Sequence, residues 1–367
     1  MLVVVSYHYV REHYPANRQG IIGITPAMLE RQLGLLAQTG ARFVTGADVV
    51  GAVEGTVRLP ERSILITFDD GLREHYEEAL PVLDRMGIPG QFFVNTHPIS
   101  RQRVSSVHQI HLLQAELGAA AFLERLIAAA AALGVALPEH LDEHKIARQY
   151  PWDGYEAGRL KYLLNFGLSR EASLELVERV FEETFPGQEA ALSRALYLTR
   201  EQVARMAGRG LIGTHGWKHL PMGLMPAALG AELVERAVED LERWTGRRPL
   251  TMAYPYGQPD TCSPEIAAVA RRAGIRAAFT TEIAGNDRTS LETAPYFLGR
   301  LDCNYVPGGK AAKWSVDDLF EAIPVTRGWA AAETATAASA AAAATAAAAA
   351  GAGPAGSREE GAQVTAR

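Results

Sequence analysis

Short apolar runs that end in glycine or polar residues recur along most of the chain. We interpret seven of them as buried strands, namely VVVSYHYV, ARFVT, ILITFDD, GQFFVN, GLIGTHG, LTMAYPYG and IRAAFTTE. Between many of these runs, apolar residues recur at helical spacing, as in PAMLERQLGLLAQTG, HYEEALPVLDRMGI, AALGAELVERAVEDLERWTG and SPEIAAVARRAG. Several of the predicted helices end at a glycine, as at Gly40, Gly87 and Gly274.

The alternation of strands and helices predicts a parallel sheet with helices outside it. The number of such units, about seven in one domain, favours a closed or nearly closed (β/α) barrel over an open sheet. In such barrels the chemistry lies where strands end and loops begin. Polar residues that directly follow a predicted strand are therefore the first candidates for a functional site.

The strand–helix rhythm lapses between about Pro98 and Leu198. This segment contains HQIHLLQAELGAAAFLERLIAAAAALG and ASLELVERVFEETF, which we interpret as helices of an insertion that follows a barrel strand. The insertion could form a lid or a specificity element, or it could be a peripheral packing module without substrate contact. Its histidines His108 and His111 lie three positions apart and could face either a cleft or solvent.

From Ala330 onward the chain is dominated by alanine and carries no stripe of large apolar residues that could pack against a barrel. We expect this tail to be disordered or transiently helical. The predicted organisation is a barrel over residues 1–327, with its helical insertion at about 98–198, and an alanine-rich tail over 328–367.

The composition is that of a soluble globular protein, with 48% hydrophobic and 21% charged residues. A formal net charge of −6 and the lack of a dense Lys/Arg stripe give no indication of a nucleic-acid partner. The two cysteines, Cys262 and Cys303, make neither a disulfide framework nor a cysteine metal site. We expect reduced thiols, and the alternative is a single bridge between them. The sequence gives no indication of the oligomeric state.

The N-terminal MLVVVSYHYV is better interpreted as a buried strand than as a signal peptide, because no basic region precedes it. No apolar segment is long enough to span a bilayer without charges. We therefore expect a cytoplasmic protein without a transmembrane segment.

Two adjacent carboxylates, Asp69 and Asp70, end the predicted strand ILITFDD. Side chains alternate along a strand, so the two carboxylates start in different directions. Two like charges this close disfavour joint ionisation unless a cation or a hydrogen-bond network separates their roles. The alternative is a simple turn, because Asp-Asp-Gly is good turn chemistry and Asp70 could cap the next helix.

A second cluster, GLIGTHGWKHLPM, places His215 and His219 four positions apart at the end of another predicted strand. This spacing is typical of metal ligands, although pairs of histidines also occur by chance. Here Gly213 and Gly216 indicate a strand-to-loop turn. Two neutral imidazoles and one carboxylate leave open positions on zinc, which is the arrangement of a hydrolytic site.

The order TFDDG, GTHGWKH and AYPYG resembles the polysaccharide deacetylase family, also called carbohydrate esterase family four or the nodulation-protein-B (NodB) homology domain. The resemblance covers roughly Tyr7 to Asp302 and is interrupted by the insertion. It implies a distorted (β/α) barrel and a metal-dependent carbohydrate deacetylase, a hydrolase of carbon–nitrogen bonds other than peptide bonds. The expected cofactor is one divalent metal, usually zinc, with cobalt or manganese in some members.

The resemblance also implies roles for the two motifs. Asp69 would be the general base that deprotonates the attacking water, while Asp70, His215 and His219 would bind the metal. Because the cation removes much of the like-charge penalty, this assignment accounts for the adjacent carboxylates.

The AYPYG motif would supply the substrate-binding residues Pro255, Tyr256 and Gly257. The backbone N–H of Tyr256 would contact the oxyanion, and its ring would form part of the groove wall. The alternative is a proline-bearing turn with packed tyrosines.

The chain departs from the family pattern at two positions that support the motifs. Gly216 replaces the usual Ser or Thr after the first histidine, which removes a supporting hydrogen bond rather than a ligand. Ala253 stands where an arginine often positions the catalytic aspartate, so either another group orients Asp69 or it is oriented less firmly.

The family's last motif normally supplies a histidine as general acid, but the corresponding region, FLGRLDCNYV, contains none, and no histidine follows His219. The first candidate to replace it is His8, at the end of the first predicted strand, and the second is His97, which follows QFFVNT. Asp302 could instead hold this place, with water delivering the proton.

The leading hypothesis is removal of the N-acetyl group from an acetamido sugar of a glycan, a glycolipid or a nucleotide-linked precursor. An alternative keeps the metal site but cleaves a cyclic amide or an O-acetyl ester. A third possibility is a glycan-binding barrel that has lost activity, favoured by the missing histidine and opposed by the retained Asp69.

Overall fold

A parallel sheet forms the centre of the computed structural model, which describes residues 1–12, 23–149, 154–259 and 261–325. Within this part of the chain the strands are β1 Leu2–Tyr7, β2 Arg42–Phe43, β3 Ser63–Phe68, β4 Gly90–Val94, β5 Ile212–Thr214, β6 Thr251–Ala253, β7 Ala277–Phe279 and β8 Leu301–Asp302. The seven predicted strands correspond to β1–β7. The short β8 was not predicted.

The strand order is β7-β6-β5-β4-β3-β1-β8, and β2 also pairs with β3. All these pairings are parallel. Near the two ends of this order, Leu298, just before β8, forms a single parallel bridge with Phe279 of β7. The curled sheet with its helices is a distorted (β/α) barrel, so the predicted fold is confirmed.

Helices cover the sheet and form the insertion. In chain order they are α1 Pro26–Gln38, α2 Gly46–Val53, α3 Leu80–Met86, α4 Thr96–Arg101, α5 Ser106–Leu133, α6 Glu143–Gln149, α7 Tyr155–Tyr162, α8 Arg170–Thr184, α9 Glu189–Leu196, α10 Arg200–Gly208, α11 Ala227–Thr245, α12 Pro264–Arg272, α13 Arg288–Thr293 and α14 Leu319–Ala322. Single π-helical turns occupy His75–Ala79 and Leu163–Gly167, and a 3₁₀ turn occupies Met222–Leu224.

The central strands are buried on both faces, which explains their continuous apolar runs. In β1, Val3, Val5 and Tyr7 pack into one hydrophobic cluster, whereas Leu2 and Val4 pack into another on the opposite face. The first cluster also takes in residues of α1, α3 and α10. The carboxyl ends of these parallel strands consequently meet at one edge of the barrel.

The insertion has a hydrophobic cluster of its own, built mainly by α5 and α8. The cluster also includes Tyr9 and Leu72 of the loops that follow β1 and β3. α5 is kinked at Gly118, whose φ of 76° interrupts the helix. The insertion therefore packs directly against the edge of the barrel where the candidate residues lie.

Further predictions concern membrane spans, the cysteines, the tail and the location of the protein. Among the described helices, none is both long and apolar enough to span a lipid bilayer. Cys262 and Cys303 are free thiols. The tail at 328–367 lies outside the described residues, so its boundary stays a prediction. The cytoplasmic location of the protein also stays a prediction.

Candidate active site

The loops that follow β1, β3, β5 and β6 surround a cavity of about 390 Å³. Its lining includes His8, Asp69, Asp70, His215, His219 and Tyr256 from the barrel. Three residues of the insertion, Val107, His111 and Lys161, also line it. The structure thus brings most of the predicted site residues together in one place, with the insertion as one wall.

Asp70, His215 and His219 form a buried cluster whose potential ligand atoms lie within 4.8 Å of one another. Asp70 Oδ1 is 3.6 Å from Nε2 of His215 and 3.2 Å from Nε2 of His219. This oxygen has no hydrogen-bond partner among the described residues, although it is buried. A buried carboxylate oxygen left without a donor beside two imidazoles fits a divalent cation.

His215 is held in the form that a metal ligand requires. Its Nδ1 lies 2.8 Å from the carbonyl oxygen of Ala253, which can only accept, so Nδ1 carries the proton. Nε2 then keeps its lone pair toward Asp70. Burial lowers the pKa of His215 to about 4, so the imidazole is neutral near pH 7.

The backbone is strained at the same place. Four non-glycine residues in the described chain have positive φ, and three belong to the site: Asp70 at 81°, His219 at 54° and Tyr256 at 64°. Such conformations persist only where the surrounding structure enforces them, and they cluster at functional sites.

Asp69 is held by Arg300, a residue that the sequence analysis did not identify. Two parallel hydrogen bonds join them, Nη1 to Oδ1 at 2.8 Å and Nη2 to Oδ2 at 2.7 Å. Both side chains are buried, and the Arg300 Nε also donates to the Thr280 carbonyl at 2.9 Å. Arg300 therefore orients Asp69, the role that an arginine at the position of Ala253 often has in the family.

This pairing determines the charge of Asp69. Burial alone would raise the pKa of the Asp69 carboxyl. The charge and hydrogen bonds of Arg300 outweigh this effect and lower the pKa to about 2. Asp69 is consequently ionised at any pH near neutrality. The only local sequence signal was an arginine inside the apolar run YFLGRL, just before β8.

His8, the first candidate for the missing general acid, lies at the site. Its Nε2 is 3.9 Å from Asp69 Oδ2, and its side chain is 44% exposed toward the cavity. The backbone carbonyl of His8 contacts Nε2 of the buried His75 at 2.8 Å, which anchors the end of β1.

The other candidates for this role lie differently. His97 packs edge-on against Trp217, with ring centroids 4.8 Å apart, and is not among the cavity-lining residues. Asp302 lines the cavity, but its Oδ1 accepts hydrogen bonds from the backbone N–H and the side-chain amide of Asn304, both at 2.8 Å.

Of the two histidines on α5, His108 contacts the Asp70 carboxylate and His111 faces the cavity. His108 Nε2 lies 3.3 Å from Asp70 Oδ2, and its Nδ1 lies 2.6 Å from the hydroxyl of Tyr197. Nδ1 of His111 is 3.0 Å from the hydroxyl of Tyr9. Burial lowers the pKa of His108 and raises that of Tyr197.

The AYPYG segment forms a tight turn that presents Tyr256. The ring of Tyr256 packs edge-on against His219, with centroids 5.1 Å apart, and its hydroxyl accepts from Arg170 Nη2 at 3.2 Å. The Thr281 hydroxyl donates to the Tyr256 carbonyl at 2.9 Å. A Cβ on Gly257 would lie 2.7 Å from the Thr281 nitrogen, so this position requires glycine. Substrate contacts of Pro255, Tyr256 and Gly257 stay predictions.

A parallel barrel with a buried Asp-His-His cluster beside an arginine-held aspartate defines a hydrolase-type site. The sequence profile of the family described as Polysaccharide deacetylase matches residues 56–152 and 179–278, more than half of the chain. The chain belongs to the polysaccharide deacetylase family, as the sequence motifs indicated.

A curated relative is similar to one segment of the chain. The poly-beta-1,6-N-acetyl-D-glucosamine N-deacetylase of Escherichia coli is 30% identical over 87 residues, which are 24% of this chain and 13% of that protein. This chain thus spans a small part of that relative's length.

Solved structures show the same fold. IcaB from Ammonifex degensii is 21% identical, with 82% of this chain and 90% of that chain covered and a TM-score of 0.50. The Streptococcus pyogenes deacetylase PplD, in complex with acetate, is 13% identical, with 82% and 91% covered and a TM-score of 0.50.

Proposed function

We propose that this chain is a divalent-metal-dependent hydrolase that removes the N-acetyl group from an acetamido sugar. The observation that carries the proposal is one cavity containing both the buried Asp70–His215–His219 cluster and the Arg300-held Asp69. Zinc is the proposed metal, because one carboxylate and two imidazoles are ligands that zinc accepts, and cobalt or manganese are alternatives.

Asp70, His215 and His219 would hold the cation. When bound, a divalent cation supplies Lewis acidity that polarises the acetamide carbonyl and acidifies water. The Nδ1 bond from His215 to the Ala253 carbonyl holds that imidazole with its Nε2 lone pair toward the cluster.

Asp69 takes the proton of the attacking water in this proposal. Arg300 fixes both carboxylate oxygens, so the base is pre-oriented and ionised before substrate binds. The pKa of about 2 makes Asp69 a weak base, so it needs the acidity that a cation held by Asp70, His215 and His219 would give to water.

His8 donates a proton to the leaving amine in this proposal. It faces the same cavity as Asp69 and stands at the end of a buried strand, which restricts its position. An N-deacetylase needs such a donor because an amine is a poor leaving group when it is not protonated. The retained base beside this imidazole argues against the inactive glycan-binding alternative.

The first substrate to test follows from the Escherichia coli relative, whose name describes N-deacetylation of a β-1,6-linked N-acetylglucosamine polymer. Oligomers of that sugar, a nucleotide-linked N-acetylglucosamine and an N-acetylated glycolipid cover the three proposed substrate forms. An O-acetylated sugar and a cyclic amide represent the alternative bond types.

The test is acetate release by the purified chain after chelation and after adding back zinc, cobalt or manganese. We expect release from at least one N-acetylated sugar only with metal present. Asp69→Asn should keep metal binding and lose turnover, whereas Asp70→Asn should lose both. Absence of metal binding by the wild-type chain, or turnover of only esters or cyclic amides, would overturn the proposal.

A further inference from the structure

The two oxygens of the Asp70 carboxylate have different surroundings. Oδ1 faces His215 and His219, both from the barrel, at 3.6 and 3.2 Å. Oδ2 faces His108, which belongs to helix α5 of the insertion, at 3.3 Å. The insertion thus contacts the carboxylate through Oδ2, whereas the other two candidate ligands lie nearest Oδ1.

The hydrogen bonds around His108 define its tautomer. A carboxylate can only accept, so Nε2 of His108 carries the proton and donates to Asp70. In a neutral imidazole Nδ1 then accepts, and the Tyr197 hydroxyl, 2.6 Å away, donates to it. The same hydroxyl accepts from the backbone N–H of Ser105 at 3.1 Å, which orients its proton toward His108.

The C-terminal end of the insertion also holds the backbone of the Asp70 turn. Leu198 N–H donates to the Gly71 carbonyl at 3.0 Å, and Tyr197 forms an antiparallel bridge with Leu72. Asp70 itself has a φ of 81°, a strained conformation that such contacts maintain.

We propose that His108 and Tyr197 are positioning residues that hold the Asp70 carboxylate with Oδ1 presented to the metal. The insertion then serves the metal site itself, as well as forming a cavity wall. This inference rests on the proposed metal-dependent function. Hydrogen bonds to a metal-binding carboxylate commonly tune metal affinity by about 10- to 100-fold.

A matched pair of amide substitutions tests the inference. The side-chain amide nitrogen of glutamine reaches the position of Nε2 in histidine, whereas the shorter asparagine reaches only the position of Nδ1. We therefore expect His108→Asn to weaken metal binding by about 10- to 100-fold, and His108→Gln to stay within a few-fold of wild type. The measurement is Co²⁺ titration followed by visible absorption, with thermal unfolding of each metal-free variant as a check of folding.

Tyr197→Phe gives a second test that keeps the packing of the ring. The change removes the hydroxyl that donates to His108 and accepts from the Ser105 N–H. Loss of the bond to His108 should weaken Co²⁺ binding by roughly two- to tenfold. Combined with His108→Asn it should add little, because both changes remove the same interaction. The control is His144→Gln, an exposed histidine on α6, which should leave Co²⁺ affinity unchanged.

The inference would be overturned by equal Co²⁺ affinity in wild type, His108→Asn and His108→Gln, or by an equal loss in both variants. The second result would mean that the imidazole binds metal directly or only fills space. A wild-type chain that binds no divalent metal would overturn the proposed function and this inference together.

Discussion

Arg300 and Asp69 form a buried, bidentate ion pair at the centre of the site. Such a pair contributes little net stability, because taking both charges out of water costs about as much as their attraction returns. The pair instead orients the base, because two parallel hydrogen bonds hold the Asp69 carboxylate in a single orientation. Loss of Arg300 would leave a buried carboxylate with no countercharge.

Replacement of Arg300 should change the pH dependence of activity. Arg300→Met removes the charge and hydrogen bonds that most lower the pKa of Asp69, so that pKa rises. Because the base must be ionised, the acid limb of kcat/KM should move to higher pH. Arg300→Lys keeps a charge but loses the bidentate geometry. It should therefore keep the acid limb nearer wild type while lowering kcat by roughly 10²-fold. Identical pH profiles for wild type and Arg300→Met would contradict this role.

His8 gives a prediction that depends on the leaving group. His8→Gln should lower the rate of N-deacetylation by about 10²- to 10⁴-fold, because the departing amine needs a proton. Hydrolysis of an activated aryl acetate should change far less, because a phenolate leaves without protonation. Steady-state rates on both substrates, with metal content measured alongside, make the comparison. An equal loss on both would assign His8 to positioning or substrate binding instead.

The residues of the site differed in how far they could be predicted. His8, Asp69, Asp70 and His215 directly follow strands, and His219 lies in the loop after β5, so topology brings all five to one edge. Arg300 pairs with Asp69 across 231 positions, and no local pattern records such a contact. Tyr197 was missed for the same reason.

At the scale of elements, the strands were predictable because both faces of the sheet are buried. Strand β8 has only two residues, which is too short for a recognisable hydrophobic pattern. It is identified as a strand only by its pairing with β1. The faces of α5 could not be assigned from sequence, since small apolar residues surround much of it. The direction of the His108 side chain could therefore be assigned only from the structure.

The turn after β6 supplies a prediction at this scale. Gly257→Ala would place a Cβ 2.7 Å from the Thr281 nitrogen at a φ of 61°, which displaces the turn that carries Tyr256. We expect kcat/KM to fall by roughly 10²-fold with metal affinity retained. The matched control is Gly246→Ala, which has a similar φ of 69° but open space around its Cβ. It should cost about 1–2 kcal/mol of stability and leave kcat/KM unchanged. Equal kinetics in both variants would exclude Tyr256 positioning by this turn.

At the scale of the whole molecule, one buried ligand cluster ties the barrel to its insertion. A metal that binds the folded chain and not the unfolded chain should therefore stabilise the barrel and the insertion together.

Denaturant titrations with and without metal check this coupling. At a free zinc concentration 100 times Kd, the free energy of unfolding should rise by about 2.7 kcal/mol. The increase should vanish in Asp70→Asn and persist in Asp69→Asn, whose carboxylate is not part of the cluster. Tyrosine and tryptophan signals from the two parts should shift together. A shift confined to one part would show that metal does not couple them.

The pairing of β8 with β1 has a consequence for how the protein is made. Synthesis runs from the N-terminus, so β1, β3 and Asp69 leave the ribosome more than two hundred residues before Arg300 does. Until that last strand joins the first, the aspartate beside the apolar strand β3 has no guanidinium partner. The site can therefore be completed only after residue 300 has been synthesised, so a nascent chain that stalls before it has no complete Asp69–Arg300 pair.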